Sequence, residues 1–145
     1  MDIPPNLYVG TQYLKSFYGK CVKTYSETSK LGKIEFDSGD ELEIICIAPH
    51  QIERLAVDVD IFQNSHSFVE MSSDIVKNYA KHIDRMTHHN KSSIALVSYA
   101  GGNDSTIKPD NLPGYFLREF MKYEEQKLWY HDRTSYYYVA GGVKS

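Results

Sequence analysis

The chain has 145 residues, and its 16 Lys and Arg against 19 Asp and Glu give a formal net charge of −3. The length suits one domain with its own core, and shares of 41% hydrophobic and 24% charged residues exclude wholesale disorder, collagen-like repeats and coiled coil. No long apolar run and no apparent secretory signal are present, so we expect no membrane contact and a location in the cytoplasm or within an assembled particle.

The first half of the chain is predicted to contain one helix followed by strands. Residues 1–10 carry two prolines and a glycine, which predict an extended N-terminal arm. Apolar residues then recur at helical spacing from Thr11 until Gly32 ends the pattern. Alternating or wholly apolar stretches predict strands at 33–36, 41–48 and 55–62, separated by turns at 37–40 and 49–54.

The second half alternates helices and strands. Ser72 or Ser73 is the predicted N-cap of a second helix, and an apolar strand follows at 93–99. Pro113 begins a predicted third helix that runs to about residue 128, and a strand at 135–140 ends the pattern. The sequence therefore predicts a single α+β domain over all 145 residues, a mainly antiparallel sheet with three helices packed on it.

Charge is unevenly distributed along the chain. Residues 35–60 contain eight acids and a single base, Arg54. On the predicted second helix, Lys77, Lys81 and Arg85 share the face opposite the apolar stripe. Such a stripe can be a solvated surface, but a basic face and an acidic one can also dock between copies. That contact is heterologous and generates rings or filaments.

The acidic strands predict a carboxylate cluster. If 41–48 and 55–62 form a hairpin, four carboxylates share one face of it. Like charges opposite one another destabilise a sheet, by under about 1 kcal/mol per pair. A divalent cation, a basic partner or surface water would offset that cost, so these four are the candidate metal ligands: Glu41, Glu43, Asp58 and Asp60.

The same region carries a resemblance to a nuclease family. Its two stretches read Gly39-Asp40-Glu41-Leu42-Glu43-Ile44-Ile45 and Leu55-Ala56-Val57-Asp58-Val59-Asp60. They resemble the core of restriction-endonuclease-type nucleases, in which an acid follows a glycine turn and an acid-x-lysine motif ends the next strand. The resemblance implies that Glu43 and Asp58 would hold Mg²⁺ or Mn²⁺. Asp60 stands where that family has its lysine, so the implied enzyme is degenerate.

Tyrosine is abundant, with 12 residues in the chain. Tyrosine and tryptophan are enriched at interface hot spots because they bury a large area and keep a polar end. The net charge of −3 argues against a nucleic-acid partner. The candidate interface residues near the C-terminus are Trp129, Tyr130, Tyr136, Tyr137 and Tyr138.

These patterns favour a non-enzymatic assembly subunit that self-associates within a larger particle, such as a viral tail or neck or a secretion-type ring. One alternative is a degenerate metal-dependent nuclease, and only this hypothesis requires a cofactor, Mg²⁺ or Mn²⁺. Another is an acidic partner-binding module, such as an immunity protein or a secretion chaperone. The expected partner is a second copy or a basic protein surface.

Overall fold

A computed structural model describes residues 1–88, 91–100, 107–127 and 134–141. The chain divides into two units, Met1–Val57 and Asp58–Ser145. Helices and strands occur in both units, so the predicted α+β class is confirmed. The prediction that the chain is one domain stays a prediction.

The first unit contains two α-helices and two short paired strands. Its elements are α1 (Asn6–Tyr18), a 3-10 helix (Gly19–Cys21), β1 (Val22–Lys23), α2 (Tyr25–Thr28), β2 (Ile44–Ile45) and a 3-10 helix (Pro49–Arg54). β1 and β2 are parallel, with Val22 opposite Ile44. A parallel bridge also joins Ile34 to Leu55. A small core forms from Leu7, Leu14, Val22, Ile44, Cys46 and Ala48.

The N-terminal predictions were wrong in two respects. Residues 6–10 form the first turn of α1 instead of an extended arm. Leu7 is buried there, so the apolar face of the helix begins one turn earlier than predicted. The helix then ends at Gly19, whose φ of 54° lies in the left-handed region that favours glycine. Val22, predicted to lie on the helix, therefore contributes to a strand instead.

The predicted hairpin between 41–48 and 55–62 was also wrong. The residues meant to form its turn are a 3-10 helix, Pro49–Arg54, and only Ile44–Ile45 of the first stretch is a strand. Gln51 is fully buried there: its Oε1 accepts the Ala48 N–H at 2.8 Å, and its Nε2 donates to Thr28 Oγ1 at 3.2 Å. These bonds fix residues 48–51 in a compact turn, and Ile44–Ile45 pairs in parallel with Val22–Lys23 instead of with residues 55–62.

The second unit contains a four-stranded sheet and one long helix. Its elements are β3 (Ile61–Ser65), a 3-10 helix (Ser67–Glu70), α3 (Ser73–Met86), β4 (Ser93–Ala100), a 3-10 helix (Pro109–Tyr115), β5 (Met121–Lys127) and β6 (Thr134–Gly141). The strand order is β3-β4-β6-β5, with β3 parallel to β4 and the other neighbours antiparallel. The sheet is therefore mixed, which corrects the prediction of a mainly antiparallel one.

The helix count also differs from the prediction of three packed helices. Within the described ranges there are three α-helices and four 3-10 helices. Of the predicted helices, the second is confirmed as α3, with Ser72 as its N-cap. The predicted third helix was wrong: Pro113 lies in a 3-10 helix, and Met121–Lys127 is β5, which pairs with β6. In residues 121–127, pairing with β6 determines the structure, although the apolar residues are spaced as in a helix.

A polar cluster joins the 3-10 helix Pro109–Tyr115 to the sheet. One oxygen of Asp110, Oδ1, accepts a hydrogen bond from the Tyr138 hydroxyl at 2.6 Å and another from Lys122 Nζ at 2.9 Å. Lys122 Nζ also lies 4.5 Å from the centre of the Tyr136 ring. The Tyr138 hydrogen bond and then the Lys122 charge and hydrogen bond lower the pKa of Asp110 below its ordinary value.

This cluster predicts a pH-dependent contribution to stability. A carboxyl group whose pKa is lower in the folded chain stabilises it at neutral pH, and loses that contribution as the pH falls through the folded pKa. We expect Asp110→Asn to destabilise the protein at pH above 3.8, the ordinary value, and to cost progressively less below it. Urea unfolding of both proteins between about pH 7 and pH 2 measures this. A difference that stays constant over that range would contradict it.

Candidate functional site

A groove of about 480 Å³ lies along α3 in the second unit. Its lining combines three cations, one carboxylate, one aromatic ring and one aliphatic side chain. These residues are Lys77, Lys81, Asp84, Arg85, Tyr115 and Leu117.

One wall of the groove is the polar face of α3. Lys77, Lys81 and Arg85 follow one another at intervals of four residues, so they lie on one side of the helix, as the sequence predicts. The opposite side carries the buried residues of the helix, among them Ile83. Lys77 Nζ lies 3.7 Å from Asp74 Oδ1, an exposed pair of the kind that contributes little to stability. The wall therefore presents a row of positive charge.

The other wall is the chain that follows the 3-10 helix Pro109–Tyr115. The N–H of Leu117 donates to Asp84 Oδ2 at 3.0 Å. Arg118 donates to the carbonyl of Ser92 at 3.0 Å and to its hydroxyl at 2.8 Å, and that hydroxyl donates to the carbonyl of Thr87. These bonds tie the segment to the C-terminal end of α3. Leu117 is held beside the cations with 92% of its surface exposed.

Asp84 is the one acid in this lining. Burial raises its pKa, while the hydrogen bond from Leu117 and the charge of Arg118 lower it. Its Oδ1 is buried and makes no hydrogen bond within the described residues. Three cations against one carboxylate leave the described lining of the groove with a net positive charge.

An exposed acidic segment lies in the first unit, at residues 35–42. Every residue of this acidic segment is exposed, including the large apolar side chains of Phe36 and Leu42. Its acids are Glu35, Asp37, Asp40 and Glu41. Two lysines neutralise part of it: Lys33 pairs with Glu35, and Lys23 pairs with Asp37 at 3.1 Å. Asp40 and Glu41 lie near the C-terminal end of the segment and take part in neither of these two pairs, so the segment keeps a net negative charge.

The hairpin on which the predicted carboxylate cluster depends does not form. Glu43 pairs with Lys23 in the first unit and accepts the Asp37 N–H at 2.8 Å. In the second unit, Asp58 lies 3.8 Å from His88, and Asp60 is exposed just before β3. In the part of the chain that the structure describes, no three His, Cys, Asp or Glu residues are grouped to hold a metal ion. Neither the metal ligands nor the nuclease-like residues are thus brought together by a hairpin.

The tyrosine-rich strand is placed inside the sheet, where β6 lies between β4 and β5. Tyr138 is buried and hydrogen-bonded to Asp110, so it belongs to the core. Tyr136 and Tyr137 are half-buried, and Tyr136 lies under Lys122. The other two candidate interface residues, Trp129 and Tyr130, lie outside the described residues.

Sequence reasoning missed the second wall of the groove. Tyr115 and Leu117 fall within the predicted third helix, and Asp84 is not among the candidate residues that the sequence singles out. Apolar spacing indicates which residues share a face, but it does not indicate that Leu117 would be left exposed. The signal that was available is the cluster of bases on α3.

Comparison with family models, with curated proteins and with solved structures found no match. None of the described helices combines the length and the apolar character that crossing a membrane requires. The features that can carry a function are therefore those of the chain itself, above all the groove along α3 and the acidic segment at 35–42.

Proposed function

We propose that this protein is a self-associating interaction subunit, in which the acidic segment of one copy binds the α3 groove of another. The observation that carries this proposal is the match between the two surfaces. Each combines charge of one sign with two apolar side chains, and the signs are opposite.

The charged residues supply specificity and attraction over a distance. The groove presents Lys77, Lys81 and Arg85, and the segment presents four acids, two of them adjacent near its C-terminal end. Complementary charge steers encounter and fixes register more than it adds affinity.

The apolar residues supply the affinity. Phe36 and Leu42 of the acidic segment are exposed, as is Leu117 of the groove, which lies near the half-buried ring of Tyr115. Burying such side chains contributes roughly 25 cal/mol per Å² removed from water. Of the groove residues, Tyr115 and Arg85 are of the types that are enriched at binding hot spots.

The proposed contact is heterologous, because it joins two different surfaces, the acidic segment of one copy and the groove of another. Repeating a heterologous contact produces a closed ring if the rotation between neighbouring copies closes on itself, and an open filament if it does not. This suits a component of a larger particle, and its function requires binding rather than catalysis.

Charge reversal in the groove tests the proposal. We expect Lys81→Glu to weaken self-association at least tenfold, equivalent to about 1.4 kcal/mol, because it places like charges opposite Asp40 and Glu41. Lys91→Glu makes the same change at an exposed position outside the groove and should leave the affinity unchanged. Sedimentation velocity over a range of concentrations gives both affinities. Equal affinities for wild type and Lys81→Glu would exclude the groove as the binding surface.

The exposed acidic segment also supports a second candidate, a module that binds a basic surface of another protein. It differs from self-association in one measurable respect: the pure protein would be a monomer at every concentration. Asp40→Lys would then weaken binding to the basic partner without changing the molar mass of the protein alone.

A further inference from the structure

The helix α1 carries a second unpartnered surface, which is apolar and uncharged. Val9, Tyr13 and Phe17 are each about two-thirds exposed, although the same helix already buries Leu7 and Thr11 in the first unit. Residues four apart on a helix are offset by only about 40°, so these three form one continuous row, here called the aromatic stripe. The rings of Tyr13 and Phe17 lie 4.9 Å apart, which makes the row continuous at its C-terminal end.

The surroundings of the aromatic stripe favour a close apolar contact. The single charged residue of α1 is Lys15, which lies about 160° around the helix from Tyr13. Gly10 lies beside the stripe, and a Cβ built there would meet no atom within 4 Å. Another helix can therefore approach the stripe closely without displacing a side chain or burying a charge.

We propose that the aromatic stripe pairs with the aromatic stripe of a second copy, across a two-fold axis near Tyr13. In an antiparallel pair Tyr13 meets Tyr13, and the smaller Val9 meets the larger Phe17 of the second copy. The row thus complements itself in size, as an isologous contact requires. This contact is separate from the one between the acidic segment and the groove, because it uses the same surface on both copies and no charge.

The apolar area that the aromatic stripe can bury limits how tightly two copies can bind through it. An aromatic side chain buries about 150 to 250 Å², so two copies of the stripe would bury on the order of 700 Å² in all. That is below the roughly 1,200 Å² of stable complexes and is typical of weak, transient contacts. We expect the pair to require a protein concentration of at least about 0.1 mM unless another contact already holds the copies together.

The salt dependence distinguishes this contact from the charged one. At about 1 M salt the Debye length is ~3 Å, so attraction between exposed charges is screened, whereas apolar contacts persist. We expect a concentration-dependent dimer of wild type under these conditions. Loss of the charged contact alone would leave this dimer, and loss of the stripe alone would leave the salt-sensitive assembly.

A matched pair of tyrosines lies on α1 itself. Tyr13 is 66% exposed and Tyr8 is 67% exposed, but Tyr8 lies about 140° around the helix from the stripe. We expect Tyr13→Ser to abolish the high-salt dimer and Tyr8→Ser to leave it unchanged. Both variants should fold, because neither side chain is buried. Equal effects of the two substitutions would overturn the proposal.

Cross-linking tests the two-fold axis directly. With Cys21, which is free and partly exposed, replaced by serine, Tyr13→Cys places one accessible thiol per copy at the predicted axis, and Tyr8→Cys places it elsewhere. On oxidation with diamide we expect covalent dimers from the Tyr13→Cys protein only. Cross-linking of neither variant, or of both equally, would overturn the proposal. So would a monomer that cosediments with vesicles of phosphatidylcholine and phosphatidylglycerol, since the stripe would then bind lipid.

Discussion

Replacing Ile83 by alanine is expected to destabilise the protein by about 2 to 5 kcal/mol. Ile83 is 0% exposed and lies in the middle of the buried face of α3. Removing its three outer carbon atoms loses their burial and leaves a cavity that the surrounding side chains fill only in part. The free energy of unfolding, obtained from urea titration, measures the change.

Ile75→Ala is the matched control, because the same residue type occupies the same helix with 50% of its surface exposed. Its expected cost is under about 1 kcal/mol, since less burial and no closed cavity are involved. Similar costs at the two positions would show that α3 does not pack on the face described above.

Replacing Gln51 by alanine is the second large expected effect, about 2 to 3 kcal/mol. The side chain satisfies the Ala48 N–H and contacts Thr28 Oγ1, and it is fully buried in the first unit. Its removal leaves a buried backbone donor without a partner, and such a group costs about 1 to 3 kcal/mol. The cavity left by the shortened side chain adds to that cost.

Glu53→Ala provides the comparison, since Glu53 lies in the same 3-10 helix and is exposed. A change of less than about 0.5 kcal/mol is expected there. If Gln51→Ala were equally mild, water would have to replace both of its hydrogen bonds, and the turn would not depend on this side chain.

The elements predicted correctly are those with strong, long-range regularity in the sequence. α3 combines an N-cap at Ser72 with apolar residues that recur over four turns. The strands β4 and β6, of eight residues each, include the mainly apolar stretch 93–99 and the tyrosine-rich stretch 135–140. Local pattern and final packing agree in all three, so the sequence alone was sufficient to predict them.

The failures occur where the local pattern fits two structures equally well. The stretch after Pro113 has apolar spacing that suits a helix, yet Met121–Lys127 pairs as an antiparallel strand with β6, with one irregularity between Lys122 and Glu125. The strands β2 and β3 were expected to pair with each other through a hairpin. Instead β2 pairs with β1 and β3 pairs with β4, both in parallel. When two paired strands are far apart in the sequence, the residue pattern of each strand does not indicate which other strand it pairs with.

The candidate site was predictable in part. Its basic face follows from helical periodicity, and the acidity of residues 35–42 follows from composition. The exposure of Leu117, which turns a charged helix face into a groove, depends on the hydrogen bond that the Leu117 N–H donates to Asp84 and on the one that Arg118 donates to Ser92. Only the folded structure shows these contacts.

A contact between the groove and the acidic segment, together with the aromatic stripe, would give each copy two modes of association. The first is heterologous and extends a row of copies, and the second is isologous and joins two copies across an axis. A weak second contact gains strength when the first holds the copies together, because the effective concentration rises. Under this proposal, the heterologous contact is the one on which assembly would depend.

Mixing two charge-reversed proteins tests that contact most directly. One variant carries Lys81→Glu with Arg85→Glu, and the other carries Asp40→Lys with Glu41→Lys. Each alone has like charges on both of its surfaces and should stay small. In an equimolar mixture, every acidic groove can bind a basic segment and every basic groove an acidic one.

The molar mass by light scattering at about 0.1 M salt, where the Debye length is ~10 Å, is the deciding quantity. We predict that each variant alone has a lower molar mass than wild type, and that the mixture regains the wild-type value. A wild type that is monomeric at all concentrations, or a mixture no larger than its two components, would contradict the proposed function.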